Sequence, residues 1–329
     1  MFLPAALVVA SLAPAAPKFE IKDGDRIVWI GSTLVEREQR YGYWETALHA
    51  AFPDKQFTLR NLGWSGDTVF GEARGRFDFN NPNACFKQLV GLTLELKPTV
   101  IFVSYGTNES FEGEPGLPKF EKGLNKLLDA LKPAKARVVL FTPMPVFVHE
   151  MPLLDGAPRN KTLKTYSKAI GSIADKRRHV LADLYGSCFT LATTIGPLFN
   201  PGKDGKAFSP PLLTEYGVQL TKAGYSTCDY YFLVSLGLKK NVGISPKLRA
   251  TNQEIRKARE ELRKKNEELR EAIVAKNQLF FYRWRPQNET YLFGFRKHEQ
   301  GKNAREVAEF DPLVAKAEER IESLRKKLK

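Results

Sequence analysis

The chain has 329 residues and a formal net charge of +14. This length allows one sizeable α/β domain plus an extension. The three cysteines have no CxxC spacing, which argues against both a disulfide scaffold and a zinc site. The positive charge suits an anionic surface or polymer as a partner, but no stretch resembles a nucleic-acid-binding module.

The first apolar stretch has the character of an export signal. Residues 2–16 are uncharged, too short to span a bilayer, and end in small residues that resemble a signal-peptidase site. Residues 1–16 are therefore predicted to be a signal peptide, and the mature chain is predicted to be exported, periplasmic or extracellular, with no membrane span. A cytosolic N-terminus is the alternative, because no Lys or Arg precedes the apolar residues.

Strand-like and helical patterns alternate between residues 17 and 240. Short apolar runs predict five strands, at residues 27–30, 56–62, 100–104, 137–142 and 179–183. Helical patterns fall near residues 42–51, 84–96, 119–131, 160–174 and 221–236. This alternation predicts a flavodoxin-like three-layer α/β/α sandwich around a parallel five-stranded sheet.

Polar and glycine-rich turns follow the first three strands. Gly31 closes the first strand, and the hydroxyl residues Ser32 and Thr33 come next. A hydroxyl at such a turn can be a nucleophile or a helix cap. Residues 61–68, NLGWSGDT, follow the second strand, and residues 104–110, SYGTNES, follow the third. Because the carboxyl ends of parallel strands share one edge, these turns are predicted to converge there.

The order of these blocks resembles the SGNH (GDSL-type) hydrolases, which are esterases and deacetylases, over roughly residues 24–238. The resemblance implies Thr33 as the nucleophile, with Ser32 at the acidic position of the GDS motif. SGDT and GTNE are intact, which implies the Gly66 N–H and the Asn108 amide as oxyanion donors. Further possible pocket residues are Asp67, Glu109 and Glu215.

The fifth block departs from the family pattern. Residues 213–225 read LTEYGVQLTKAGY, with Tyr216 at the position of the acid and Gln219 at that of the histidine. An amide cannot accept and return a proton at neutral pH, so the general base is missing from its usual place. His149, in the loop after the fourth strand, is a candidate base or binding residue.

Two functions of the pocket therefore remain open, and a third possibility is a scaffold or surface-assembly role for residues 245–329. One is ester hydrolysis, as an esterase or carbohydrate deacetylase acting on a small-molecule or glycan ester with a degenerate triad. The other is a catalytically impaired pseudoenzyme that binds an acylated or carbohydrate ligand in the retained pocket. No feature of the sequence indicates a metal, nucleotide, flavin or other cofactor.

Residues 245–329 lie outside the hydrolase-like region. Apolar residues recur as narrow stripes on two highly charged helical segments, which predicts an antiparallel, coiled-coil-like pair. The connecting residues 280–301 are rich in aromatics and arginines. We expect this segment to anchor the extension on the sheet domain through aromatic burial, and the alternative is a lid over the pocket.

Overall fold

The computed structural model describes residues 17–75, 78, 80–148, 155–194, 200–201, 207–208, 212–239 and 248–328. The predicted signal peptide and His149 lie outside these residues. Within the described part of the chain, no helix is long and apolar enough to cross a membrane.

Five parallel strands form the central sheet in the order β2-β1-β3-β4-β5. They are β1 (Asp25–Gly31), β2 (Phe57–Asn61), β3 (Val100–Ser104), β4 (Arg137–Phe141) and β5 (Val180–Ala182). The predicted flavodoxin-like parallel sheet is confirmed. Two short antiparallel pairs lie outside it, β6 (Asn200–Pro201) with β7 (Ala207–Phe208) and β8 (Thr214–Glu215) with β9 (Gln219–Leu220).

The unbroken apolar run in β1 follows from burial of both faces of the sheet. Ile27 and Trp29 point into one core, Val28 and Ile30 point into the other, and all four are fully buried. Successive side chains of a strand alternate between faces, so a strand covered on both sides has no polar position. This is why the stretch contains no polar residue.

Helices cover both faces of the sheet. The first face carries α1 (Thr33–Tyr41), α2 (Tyr43–Ala51), α6 (Leu184–Thr194) and α7 (Lys222–Ser235). The second carries α3 (Pro82–Glu95), α4 (Leu117–Leu131) and α5 (Gly156–Arg177). Helix α6 is not among the predicted helices, because its Gly, Ser, Cys and Thr residues are weak helix formers and it has no clear polar face.

The C-terminal extension consists of two long helices with short helical pieces between them. These are α8 (Leu248–Trp284), α9 (Glu289–Leu292), α10 (Lys297–Gln300) and α11 (Phe310–Lys326). Ion pairs from Arg283 to Asp311 and from Arg320 to Glu268 show that α8 and α11 run antiparallel. Helix α8 runs to Trp284, so the first residues of the 280–301 segment are helical and do not belong to a loop.

Helix α8 lies along β2, the edge strand of the sheet. The buried Lys276 ammonium donates to the Leu59 carbonyl of that strand at 2.8 Å, to Glu45 Oε1 at 2.6 Å and to Asn277 Oδ1 at 2.8 Å. Phe280 and Trp284 are buried in the second core, whereas Phe293 and Phe295 are exposed. The anchor interpretation therefore applies to the helical end of the segment and not to its later aromatics.

Candidate active site

The candidate site begins at the junction of β1 and α1. A Cβ on Gly31 would lie 2.7 Å from the Ser104 carbonyl oxygen, so only glycine allows β1 and β3 to end this close together. Ser32 is buried, and its carbonyl accepts the N–H groups of Val35 and Glu36 without a cap from its hydroxyl. Thr33 is the first helical residue and is half-buried. Of the two hydroxyls, Thr33 is the more accessible.

The loop after β2 is docked directly on the first turn of α1. Asn61 donates its side-chain amide to the Val35 carbonyl at 2.6 Å and accepts the Gly63 N–H at 2.8 Å. A Cβ on Gly63 would lie 2.3 Å from the Glu36 nitrogen, so the close approach requires glycine. The Ser65 N–H donates to Glu36 Oε2 at 2.7 Å. These contacts hold residues 61–65 against the helix that carries Thr33.

Gly66 and Asn108, the oxyanion donors implied by the family resemblance, lie close to these residues. The Gly66 N–H lies 3.4 Å from Thr33 Oγ1. Gly66 has φ +80°, a left-handed conformation that other residues adopt only with strain. The Asn108 side-chain amide donates to the Asp67 carbonyl at 2.8 Å, which joins the loop after β3 to the residue following Gly66. Thr33, Gly66 and Asn108 are thus assembled at the carboxyl edge of the sheet.

Asp67 does not line a pocket, contrary to the expectation from the sequence. Its side chain is fully buried, where it accepts from Arg74 Nε at 2.6 Å and from the Tyr105 hydroxyl at 2.8 Å. Burial raises the pKa of Tyr105 well above its ordinary value, so the phenol keeps its proton for this hydrogen bond. Asp67 therefore acts as a buried structural carboxylate beneath the loop.

Glu109 is also mostly buried and serves as a bridge between the two oxyanion loops. One carboxylate oxygen accepts the Val69 N–H and the other accepts the Gly106 N–H, each at 2.8 Å. Burial raises the pKa of Glu109 to about 7. The carboxylate that links the loop after β2 to the loop after β3 therefore changes charge near neutral pH.

The fifth block forms a tight hairpin of β8 and β9. Tyr216 and Gly217 have φ 56° and 77°, and the Val218 N–H donates to the Glu215 carbonyl at 3.2 Å. Two consecutive left-handed residues closed in this way make a type I′ turn, in which Asn-Gly and Asp-Gly are preferred. The Tyr216 side chain is 60% exposed. At the position of the family acid, the ring therefore lies largely in solvent.

Arg37 connects this hairpin to α1, the helix that begins at Thr33. Its two terminal nitrogens donate to the Glu215 carboxylate at 3.0 and 2.6 Å, and this pairing lowers the pKa of Glu215. Arg37 is one helical turn after Thr33 and so shares its face of α1. Arg37 is not among the site residues predicted from the sequence, although its i+4 spacing from Thr33 could have indicated it.

The described histidines do not supply a base at this edge. His49 is buried, stacked on Phe57 at the amino end of β2 with ring centroids 4.2 Å apart. Burial lowers the pKa of His49 to about 3. His179 precedes β5, also at the amino edge, and His298 is exposed on the extension. Gln219, at the position of the family histidine, lies directly opposite Glu215 in the β8–β9 hairpin.

Among the residues that the structure describes, no group of three or more His, Cys, Asp or Glu side chains could hold a metal ion.

The fold and these blocks together define an SGNH-type hydrolase domain. The sequence matches the GDSL-like Lipase/Acylhydrolase family over residues 24–226, and the chain belongs to that family. The resemblance inferred from SGDT and GTNE is thereby confirmed. No curated protein sequence matches the chain.

Similar solved structures include acetylxylan esterases. Axe2 from Geobacillus stearothermophilus is 17% identical with a TM-score of 0.47, and the match covers 67% of this chain and 98% of that one. A catalytic mutant of the same esterase gives 18% identity and a TM-score of 0.48 over the same shares of the two chains. A gut microbial diltiazem-metabolizing enzyme is 18% identical with a TM-score of 0.45, covering 68% of this chain and 48% of that one.

Proposed function

We propose that the chain binds an acyl ester at the edge formed by Thr33, Gly66 and Asn108 and hydrolyses it slowly. The observation that carries the proposal is the 3.4 Å separation of Thr33 Oγ1 and the Gly66 N–H. A carbonyl lying beside this pair could present its carbon to the hydroxyl and its oxygen to the donor. Family membership supports the same reaction class.

The proposed reaction proceeds through an acyl-enzyme. Thr33 Oγ attacks the carbonyl carbon, and the Gly66 N–H and Asn108 amide stabilise the negative oxygen. The tetrahedral intermediate expels the alcohol, which takes up the proton that Thr33 lost. Water then attacks the acyl group, releases the carboxylic acid and restores the Thr33 hydroxyl. Both steps need a base, and the Gln219 amide cannot serve as one.

His149 is the proposed replacement base or binding residue. It follows Phe147, whose N–H donates to the Gly217 carbonyl at 2.8 Å, and Val148, whose N–H donates to the Ala192 carbonyl at 3.2 Å. The first bond brings the chain just before His149 against the β8–β9 hairpin, and the second ties it to α6. Their position supports His149 over the other three histidines.

A glycan ester is the proposed substrate class, with a small-molecule ester as the alternative. Two large aromatic side chains near the site blocks are exposed, Phe111 at 58% and Tyr216 at 60%. Phe111 follows Asn108 by three residues, and its ring is stacked by the Arg159 guanidinium at 3.8 Å. An exposed ring that is held in place, as that of Phe111 is, can stack on the apolar face of a sugar, which supports a carbohydrate deacetylase.

The second candidate is a pseudoenzyme that keeps the pocket as a binding site. The Arg37–Glu215 pair favours it, because the carboxylate nearest to position 219 is engaged by a guanidinium. In that case the acylated ligand would bind without turnover.

The experiment compares parent and restored chains on p-nitrophenyl acetate and acetylated xylooligosaccharides. The triple variant Thr33→Ser, Tyr216→Asp, Gln219→His is expected to exceed the parent by about 10²-fold or more, because it regains a base. Thr33→Ser alone is the control and should change little.

Activity of the parent that is lost in both Asn108→Ala and His149→Ala supports hydrolysis with a relocated base. Activity only in the triple variant supports the pseudoenzyme. A parent whose full activity is indifferent to Thr33, Asn108 and His149 would show that this site is not the active one.

Export and an anionic partner are proposed on separate grounds. The apolar residues 2–16 support export, which intact-mass analysis of the mature chain would test.

A cleft at the amino edge of the sheet supports binding of an anionic polymer. Its volume is about 560 Å³, and it is lined by five basic side chains and one carboxylate. They are Lys22, Arg26, Lys97, Lys135, Arg137 and Asp25. Salt-sensitive retention on dextran sulfate that Lys97→Glu and Lys135→Glu reduce would support this cleft.

A further inference from the structure

The end of helix α8 packs against the loop that presents Gly66. Trp284 is 5% exposed and meets the Trp64 ring edge-to-face, with centroids 5.7 Å apart. The next residue, Arg285, places its guanidinium 3.8 Å from the centroid of the Trp64 ring. Trp64 lies two residues before Gly66. The extension therefore reaches the oxyanion loop through two consecutive side chains.

Glu36 connects this contact to the nucleophile helix. Its Oε2 atom accepts both the Ser65 N–H at 2.7 Å and Arg285 Nη1 at 2.8 Å. The Glu36 side chain is only 8% exposed, and its second nearby cation, Arg40, is 3.7 Å away. A buried carboxylate is stable only when it is paired and hydrogen-bonded. Arg285 is thus its close counter-charge.

We propose that Arg285 is a positioning residue for the oxyanion hole. It acts through Glu36 and Trp64, which together hold Ser65 and hence orient the Gly66 N–H toward Thr33 Oγ1. The inference rests on the proposed function, in which that N–H stabilises the developing oxyanion. The C-terminal extension is on this view part of the active-site architecture, since it sets the geometry of a loop more than 200 residues away in sequence.

The expected kinetic signature follows from where the donor acts. Removing one oxyanion donor costs about 10²–10³-fold in kcat, and misplacing it costs part of that. Arg285→Met is therefore expected to lower kcat by about 10-fold or more with little change in KM, because the oxyanion forms only in the transition state. Arg285→Lys should fall between parent and Arg285→Met, since it keeps the charge but loses the planar stack.

Arg283→Met is the matched control. Arg283 lies two residues before Arg285, in the last turn of α8, and carries the same side chain, but it pairs with Asp311 on the exposed side of the extension. It should leave kcat and KM unchanged. A general loss of the extension's packing would affect both variants, whereas a positioning role affects Arg285 alone.

Hydrogen exchange provides a test that needs no turnover. Deuterium uptake of the peptide covering residues 62–70 should rise in Arg285→Met and stay at the parent level in Arg283→Met. If no ester is cleaved by the parent, the proposed function fails, but this difference in exchange still supports the positioning role. Equal exchange in the two variants would overturn it, whatever the activity. Should Arg285→Met lose its fold, the same comparison with Arg285→Lys decides.

Discussion

Arg37 of α1 holds Glu215 of the β8–β9 hairpin with both terminal guanidinium nitrogens, at 3.0 and 2.6 Å. The pair joins the helix that begins at Thr33 to the hairpin that carries Tyr216 and Gln219. Glu215 and Gln219 face each other across that hairpin, so their side chains project from the same face. The carboxylate nearest to the position of the family histidine is therefore Glu215, held by an arginine.

The first prediction concerns a rebuilt base at position 219. In Gln219→His the imidazole would share the hairpin face with Glu215, but Arg37 would still hold that carboxylate. Adding Arg37→Met releases Glu215 to orient the imidazole, so the double variant should hydrolyse p-nitrophenyl acetate about 10-fold faster than Gln219→His alone. A Glu215→Gln change in the double variant should abolish the gain. Equal kcat/KM values for the single and double variants would contradict this role for Glu215.

The second prediction concerns the strained hairpin turn. Tyr216 has φ 56°, and its exposed ring contributes little packing. Asn adopts left-handed φ more readily and is preferred at this turn position, so Tyr216→Asn should raise the free energy of unfolding by about 1 kcal/mol. Gly217→Ala, at φ 77°, should lower it by about the same amount. Urea unfolding of the three chains measures both, and the prediction fails if the two changes have the same sign.

The third prediction tests how the extension is held on the sheet. The side chains of Lys276 and Glu45 are almost completely removed from water, and burial lowers the pKa of Lys276 and raises that of Glu45. Lys276→Met should reduce the free energy of unfolding by about 3–5 kcal/mol, because Glu45 loses its counter-charge. Adding Glu45→Gln should recover part of the loss. Lys326→Met removes an exposed pair with Glu322 and should change little. Additive losses at positions 45 and 276 in denaturant titrations would rule out the coupling.

The fourth prediction is the pH dependence that His49 causes. Burial lowers the pKa of His49 from 6.5 to about 3, and the nearby Lys276 and Arg325 also oppose its protonation. The unfolded chain therefore binds a proton below pH 6.5 that the folded chain binds only near pH 3. The free energy of unfolding is therefore unaffected by His49 above pH 6.5. As the pH falls from 6.5 toward 3, it decreases by at most about 1.4 kcal/mol per pH unit.

His49→Phe keeps the stack on Phe57 and removes the titrating group. The slope of unfolding free energy between pH 6 and pH 4 should be smaller in this variant than in the parent. His298→Gln, on the exposed part of the extension, should leave the slope unchanged. An identical slope in parent and His49→Phe would exclude His49 as the source.

Local sequence patterns determined the sheet and the place of the site. Unbroken apolar runs identify strands such as residues 27–30, because a strand covered on both faces leaves no polar position. The turns carrying Thr33, Gly66 and Asn108 converge because parallel strands end at one edge, a consequence of topology that holds whatever the side chains between them. These features depend on residues close together in the chain.

Only the tertiary structure decided which of the neighbouring polar residues line the site and which hold its loops in place. Asp67 and Glu109 are polar residues in the matching motifs, yet one pairs with Arg74 below the loop and the other bridges two backbone N–H groups. The partners of Arg37 and Arg285 come from elements 178 and 249 residues away in sequence. Such pairings depend on how helices and loops pack in three dimensions, and a charged side chain has no local pattern that identifies its distant partner.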